Sequence, residues 1–403
     1  MRRKMKSRMF VLCCLIFVMI AATACNNSSV NTSSNQAPIK IGVLTSKTGA
    51  LEAYGNQMIE GFEMGLDYAT DGKREINGRK IEMIIEDTET KPDVATKKAT
   101  KLLEEDKVDI LTGAASSTDT LAVLPLVEEY KKIMMVEPAV ADSITGSDWN
   151  RYVFRSARNS SQDAIAGAAA IAKKGTKIAV LAPDSAFGHE GATAFVNAAK
   201  KKGANIVLQE FPDPKAADFT SNIQKVVNAK PDYLFVIWAG ANSPWKTIVN
   251  MKLPEKGIKI STGAPDIAAL KTMGSLVGME GFCVYYNELP NNDINKWLVE
   301  ENKKRFNKVP DLFTAGGMSA AIAIVEGIKK AGSTDTEALI KAMEGMSFEG
   351  PKGKMTFRKE DHQAIQTLYA IKLENKKGYD HPVAILIREL TPEETTPPIT
   401  VKK

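Results

Sequence analysis

The stretch GAASSTDT, residues 113–120, decides how the chain reads. It follows an apolar run, VDIL (108–111), of strand character. It precedes 121–130, where apolar residues recur at helical spacing. Residues 113–119 therefore read as a strand-to-helix turn with Thr118 or Asp119 as the N-cap. A helix start carries unpaired N–H groups and the positive end of the helix dipole, both of which favour an anion. Ser116, Ser117 and Thr118 add three hydroxyls at that place. In open α/β sheets ligands sit at the carboxyl ends of strands, where this turn lies. The same hydroxyls also suit a plain helix cap, so the turn alone leaves both readings open.

Outward from the turn, the chain alternates apolar runs with amphipathic stretches. Strands are expected at 39–44, 81–85, 108–111, 133–136 and 152–155, and helices at 57–69, 94–103 and 121–130. A polar segment at 155–160 marks a boundary, and the alternation then resumes. Helices are expected at 164–173, 190–201, 219–227 and 245–251, and strands at 178–181, 206–211, 233–237 and 258–261. Such repetition is the mark of parallel sheets covered by helices, here an α/β chain with two lobes. Beyond it come a strand at 281–286, helices at 292–307, 317–331 and 335–346, a turn-rich segment at 345–353, and strands at 367–374 and 382–387. The polar stretch 391–403 reads as a loose tail.

The amino terminus reads as an address. Arg2, Arg3, Lys4, Lys6 and Arg8 precede an apolar run at 9–21 and the small residues ATAC at 22–25, so residues 1–24 read as a secretory signal. The apolar run is short for a membrane span, which needs about 20 residues. ATAC resembles a bacterial lipoprotein box, which implies cleavage before Cys25 and lipid on its sulfur; the alternative is an ordinary cut near Ala24. Residues 26–37 (NNSSVNTSSNQA) form a polar tether of about 20 Å root-mean-square span. Of 53 basic residues five lie in the signal, leaving 48 against 48 acidic ones. That balance gives no reason to expect nucleic acid as a partner. Cys13 and Cys14 leave with the signal, and Cys283 reads as a small buried hydrophobe.

Catalytic chemistry finds no constellation. The three histidines, His189, His362 and His381, are far apart and lack zinc-ligand spacing. Residues 317–321 lack the second glycine of a nucleophile elbow, and the spacing at 350–354 is wrong for a phosphate loop. A non-enzymatic binding protein without cofactor or metal is the expectation. An exported hydrolase is the competing reading, and it predicts turnover.

Several segments together carry a family resemblance. After the tether come IKIGVLTSKTGALEAYGNQMIEGFEMGLDYA (39–69), NGRKIEMIIEDTETKPDVATKKATKLL (77–103), GAASSTDTLAVLPLVEEYKKIMMVEPAVA (113–141), APDSAFGHEGATAF (182–195) and GFCVYYNE (281–288). This order resembles the branched-chain amino acid type of ABC-transporter substrate-binding protein, the type I periplasmic binding fold. The resemblance implies two doubly wound parallel-sheet lobes joined by three hinge crossings, near 155–160, 281–286 and 350–357. Lobe 1 would comprise 38–156 and 284–353, and lobe 2 157–283 and 354–390. It further implies an exported, lipid-anchored monomer that closes on a small carboxylate-bearing ligand, a branched-chain or other amino acid, and delivers it to membrane permease subunits. A sensory module of the same fold is the alternative; such modules usually carry further signalling segments, and this chain ends soon after the fold does.

Site residues follow from the resemblance only where motifs match. The ligand carboxylate would meet Ser116 or Ser117. The amino group would be held partly by the loop 138–141, with Ala139 and Ala141, and by an acidic residue matched by Asp266. Tyr54 matches an aromatic position after the first strand, and Trp238 follows the 233–237 strand. Phe187 and Met318 stand where the family has tyrosines, and Ala141 where it often has a hydroxyl. These departures leave fewer partners for an ammonium group and a more apolar pocket walled by Tyr54, Phe187 and Trp238. A carboxylic acid with an apolar or aromatic body suits these residues as well as leucine does.

Overall fold

The computed structural model describes residues 37–402 except 264 and 275. The signal, Cys25 and the tether to residue 36 lie outside the described residues. The chain begins β1 (Ile39–Thr45), α1 (Glu52–Ala69), β2 (Glu75–Ile76), β3 (Arg79–Asp87), α2 (Pro92–Glu104), β4 (Ile110–Gly113), α3 (Ser117–Glu129), β5 (Ile133–Val136) and β6 (Val153–Arg155). It continues α4 (Ser160–Ile171), β7 (Lys177–Leu181), α5 (Ala186–Lys201), β8 (Asn205–Glu210), α6 (Thr220–Ala229), β9 (Tyr233–Val236), α7 (Trp245–Asn250), β10 (Lys259–Thr262), α8 (Ile267–Thr272) and β11 (Glu280–Cys283). Last come α9 (Asp293–Phe306), α10 (Leu312–Ala331), α11 (Thr336–Met343), β12 (Ser347–Gly350), β13 (Gly353–Phe357), β14 (Ala364–Ile365), β15 (Leu368–Glu374), β16 (Val383–Leu390) and α12 (Pro392–Thr395).

Two sheets organise these elements. The first has the order β2-β3-β1-β4-β5-β6, parallel except for the β2–β3 pair. The second has the parallel order β10-β9-β7-β8, and a bridge from Gly263 to Phe282 continues it into the β11-β15-β16 ladder. Strands such as β5, IMMV, are buried at every residue, as a parallel sheet covered on both faces requires. The two doubly wound lobes expected from the sequence are thus present.

Helices α1 and α10 cover the first sheet together, and glycines let their backbones touch. A Cβ on Gly61 would lie 1.8 Å from the Thr314 carbonyl oxygen, and one on Gly317 2.2 Å from that of Met58. Met318 sits in this seam, fully buried.

The chain crosses between lobes at 156–159, after Cys283, and at 366–367. The third crossing lies later than the expected 350–357. The reason is the β12-β13-β14 ladder, whose glycine-rich sequence reads as turns. It holds Phe357 edge-on to Phe154 of β6, and Gln363 bridges to Arg155. Residues 354–365, expected in lobe 2, therefore pack with lobe 1. The tail is not loose either. Thr391 caps α12, Thr395 is buried, and Arg358 Nη1 donates to the Pro397 carbonyl at 2.8 Å.

The first crossing is anchored by Arg155, whose side chain is wholly buried. Its Nε donates to Gln363 Oε1 at 2.7 Å, Nη1 to the Ala141 carbonyl at 2.6 Å, and Nη2 to Thr145 Oγ1. A buried guanidinium is tolerable only when its donors are satisfied in this way.

Candidate functional site

Strand order decides where the site forms. In the first sheet β1 has β3 on one side and β4 on the other, so the loops after β1 and β4 diverge and leave a crevice. In the second sheet β7 lies between β8 and β9, which opens the loops after β7 and β9. These crevices face each other and enclose a cavity of about 210 Å³. Residues 115–118 and 138–140 line it from lobe 1, and 183, 185, 187 and 235–239 from lobe 2.

Three helices begin at this cavity. Ser116, rather than Thr118 or Asp119, is the N-cap of α3, its Oγ accepting from Asp119 N at 3.3 Å. The turn before it needs Gly113, which has φ +122°, and a Cβ there would lie 1.9 Å from the Leu44 carbonyl oxygen. Asn159 caps α4 through a capping box with Gln162, and Ser185 caps α5. Ser117 Oγ accepts from Ala141 N at 3.1 Å and Val140 N at 3.3 Å, so it fixes the loop 138–141. Ser160 ties α4 to the same loop, its Oγ donating to the Val140 carbonyl at 3.0 Å.

The charge in the cavity comes from Arg158, which in sequence is merely part of the polar boundary, and from Asp163 just beyond it. Arg158 Nε donates to both Asp163 oxygens at 3.2 Å. Among the described residues, no protein acceptor meets its Nη groups, and Arg158 lines the cavity. Burial pushes the Asp163 carboxyl up, while Arg158 pulls it down. A cap in SARNSSQD was readable from Asn159 and Gln162; that Arg158 lines the cavity depends on how the crossing places it. The remaining wall is aromatic, with Phe187, Trp238 and a stacked Phe195–Phe235 pair at 3.7 Å.

Tyr54 closes one end. Its ring stacks on Phe313 at 3.9 Å, and its hydroxyl accepts from Gly240 N at 3.0 Å, across the lobes. Ser143 of lobe 1 likewise donates through N and Oγ to Glu190 of lobe 2, both at 2.8 Å. The cleft is therefore closed in this structure.

Of the expected site residues, Tyr54, Ser116, Ser117, Ala139, Phe187 and Trp238 line the cavity. Three do not. Ala141 is buried behind the loop, with its N–H on Ser117 and its carbonyl on Arg155. Met318 is fully buried, its backbone against Gly65 of α1 in the helix seam. Asp266 caps α8 through Ala269 N at 2.6 Å and lies behind Tyr54. Among the described residues, no cluster of three or more His, Cys, Asp or Glu side chains could hold a metal.

Known proteins share this architecture. A family model described as periplasmic binding protein matches residues 38–378. A solved structure of an ABC-type branched-chain amino acid transporter from Rhodopseudomonas palustris CGA009 is 49% identical, with a TM-score of 0.81 over 91% of this chain and 100% of that one. An ABC-transporter solute binding protein from Rhodopseudomonas palustris BisB5, in complex with 3,4-dihydroxybenzoic acid, is 26% identical, with a TM-score of 0.78 over 88% and 97% of the two chains. The leucine-, isoleucine-, valine-, threonine- and alanine-binding protein of Pseudomonas aeruginosa is 24% identical over 324 residues, 79% of this chain and 85% of that one.

Proposed function

The chain belongs to the periplasmic binding protein family, and from that premise we propose that it captures a small carboxylic acid with an apolar or aromatic body and no α-ammonium group. As a member it is a non-enzymatic, extracytoplasmic solute-binding component of an ABC transporter, which gives it a small-molecule ligand and a membrane permease as partners. In our reading the carboxylate meets the first N–H groups of α3, the Ser116 and Ser117 hydroxyls and the Nη groups of Arg158. The body of the acid lies among Phe187, Phe195, Phe235 and Trp238.

The observation that carries the choice of acid is the occupation of Asp163. It is the one carboxylate among the described residues lining the cavity, and both its oxygens already accept from Arg158. An ammonium group would be buried without an ionised partner, a penalty of at least about 1–3 kcal/mol. A branched-chain amino acid is the second reading, favoured by the 49% identity to a protein described as a branched-chain amino acid transporter. Calorimetric titration with benzoate, 4-hydroxybenzoate, 4-methylpentanoate and leucine separates them. An acid without the amine is expected to bind at least tenfold more tightly than leucine; leucine as the tightest ligand would overturn the proposal.

Lipid on Cys25 and a tether over 26–37 complete the proposal, since they would hold the lobes at the membrane outer face near the permease. Cys25→Ser is expected to release the protein from washed membranes into the soluble fraction. Retention of the variant in the membrane fraction would contradict the anchor.

A further inference from the structure

Behind Tyr54, away from the cavity, two carboxylates from opposite lobes come together. Asp266 precedes α8 in lobe 2, and Asp311 precedes α10 in lobe 1. Asp311 Oδ2 accepts from Ile267 N at 2.9 Å, so the closed cleft is latched across the lobes at this point. Asp311 Oδ1 accepts from Leu312 N at 2.8 Å, and Asp266 Oδ1 accepts from Ala269 N.

We propose that closure of the two lobes takes up a proton at this Asp266–Asp311 pair, so that acidification favours the closed form. When the cleft opens, Ile267 N leaves Asp311 and the carboxylates separate into water. When it closes, two like charges are brought into a poorly solvated place, and a proton from solvent on one oxygen removes the repulsion.

The surroundings supply no cation to relieve it. From α1 come the Tyr54 hydroxyl and the Gln57 amide; from lobe 2 come Asp266 and the Ile267 N–H; from the second crossing come Tyr285 and Tyr286. Among the described residues, no Lys, Arg or His forms an ion pair with either aspartate, and Lys308, on the same loop as Asp311, is engaged with Glu60 at 2.9 Å. Burial, followed by the charge of Asp266, pushes Asp311 up to about 6 in the closed form. An open-form carboxyl near the ordinary value of about 4 then binds the proton less well, so the closed form gains between about pH 7 and 4 and nothing further below that.

The test needs no ligand, so its outcome is independent of which acid the cavity takes. Spin labels at Lys97→Cys in lobe 1 and Lys246→Cys in lobe 2, in a Cys25→Ser background, report the lobe separation by pulsed electron resonance. Lowering the pH from 7.5 to 5 is expected to raise the closed-to-open ratio about tenfold. Asp311→Asn removes the charge and can keep its amide oxygen as the acceptor for Ile267 N while giving up the Leu312 N contact, so the ratio should be high at both pH values. Asp266→Asn, which can still cap α8, should behave likewise. A wild-type ratio unchanged with pH, or a full pH response surviving in both variants, would overturn the proposal.

Discussion

In the proposed mode of binding, Arg158 is the residue on which recognition turns. Its Nε is held by Asp163, which fixes the guanidinium plane of a side chain that lines the cavity. Arg158→Met keeps much of the side-chain volume and removes the charge. Loss of a charged hydrogen bond of about 1.5–3 kcal/mol is expected to weaken acid binding at least tenfold, read by titration calorimetry. Asp119 is a different case. Neither oxygen has a hydrogen-bond partner in good geometry, and burial pushes the carboxyl up to about 6, against the pull of the Thr88 and Ser116 hydroxyls. A raised acid destabilises the fold above that value, and the penalty fades as pH falls toward its ordinary value. Asp119→Asn should therefore stabilise the protein by about 2 kcal/mol at pH 7.5, and by progressively less down to pH 4, in thermal melts. The hydroxyl turn was legible in the sequence because cap residues between a strand and a helix have one local role. Arg158 and Asp163 were not, because their role depends on which lobe they face after the crossing.

The elements carry their own requirement in the α1–α10 seam. Gly317→Ala would place a methyl group 2.2 Å from the Met58 carbonyl oxygen, so the helices must separate. Overpacking of this kind costs about 1–3 kcal/mol, and chemical denaturation should read it as a lower midpoint with an unchanged slope. Buried parallel strands were the most legible elements: β5 falls where IMMV predicts it, because every residue faces apolar surroundings. Helix starts were legible less well. The first turns of α4 (SSQD) and α5 (AFGH) serve capping and cavity lining, so the apolar periodicity read from the sequence begins only after them. The β12–β13 hairpin was hidden because its glycines and short strands read as turns, and only packing of Phe348 and Phe357 against lobe 1 makes it a ladder.

At the scale of the whole molecule, the lobes are linked by three crossings, and residues beyond 390 run from β16 back to Arg358 of lobe 1. Deleting 391–403 should lower the melting temperature, since it removes the α12 cap and exposes the surface under Thr395; an unchanged melt would show the tail to be idle. The two crevices face each other because both sheets reverse strand order at their centres. The central claim is that this paired crevice takes an acid by its negative end at the start of α3. A crystal structure with the tightest-binding acid tests it most directly. The account predicts the carboxylate within hydrogen-bond distance of the Ser117 or Thr118 N–H and of an Arg158 Nη, with the body against Phe187 and Trp238. A carboxylate turned toward Tyr54, or an acid bound outside the cleft, would contradict it.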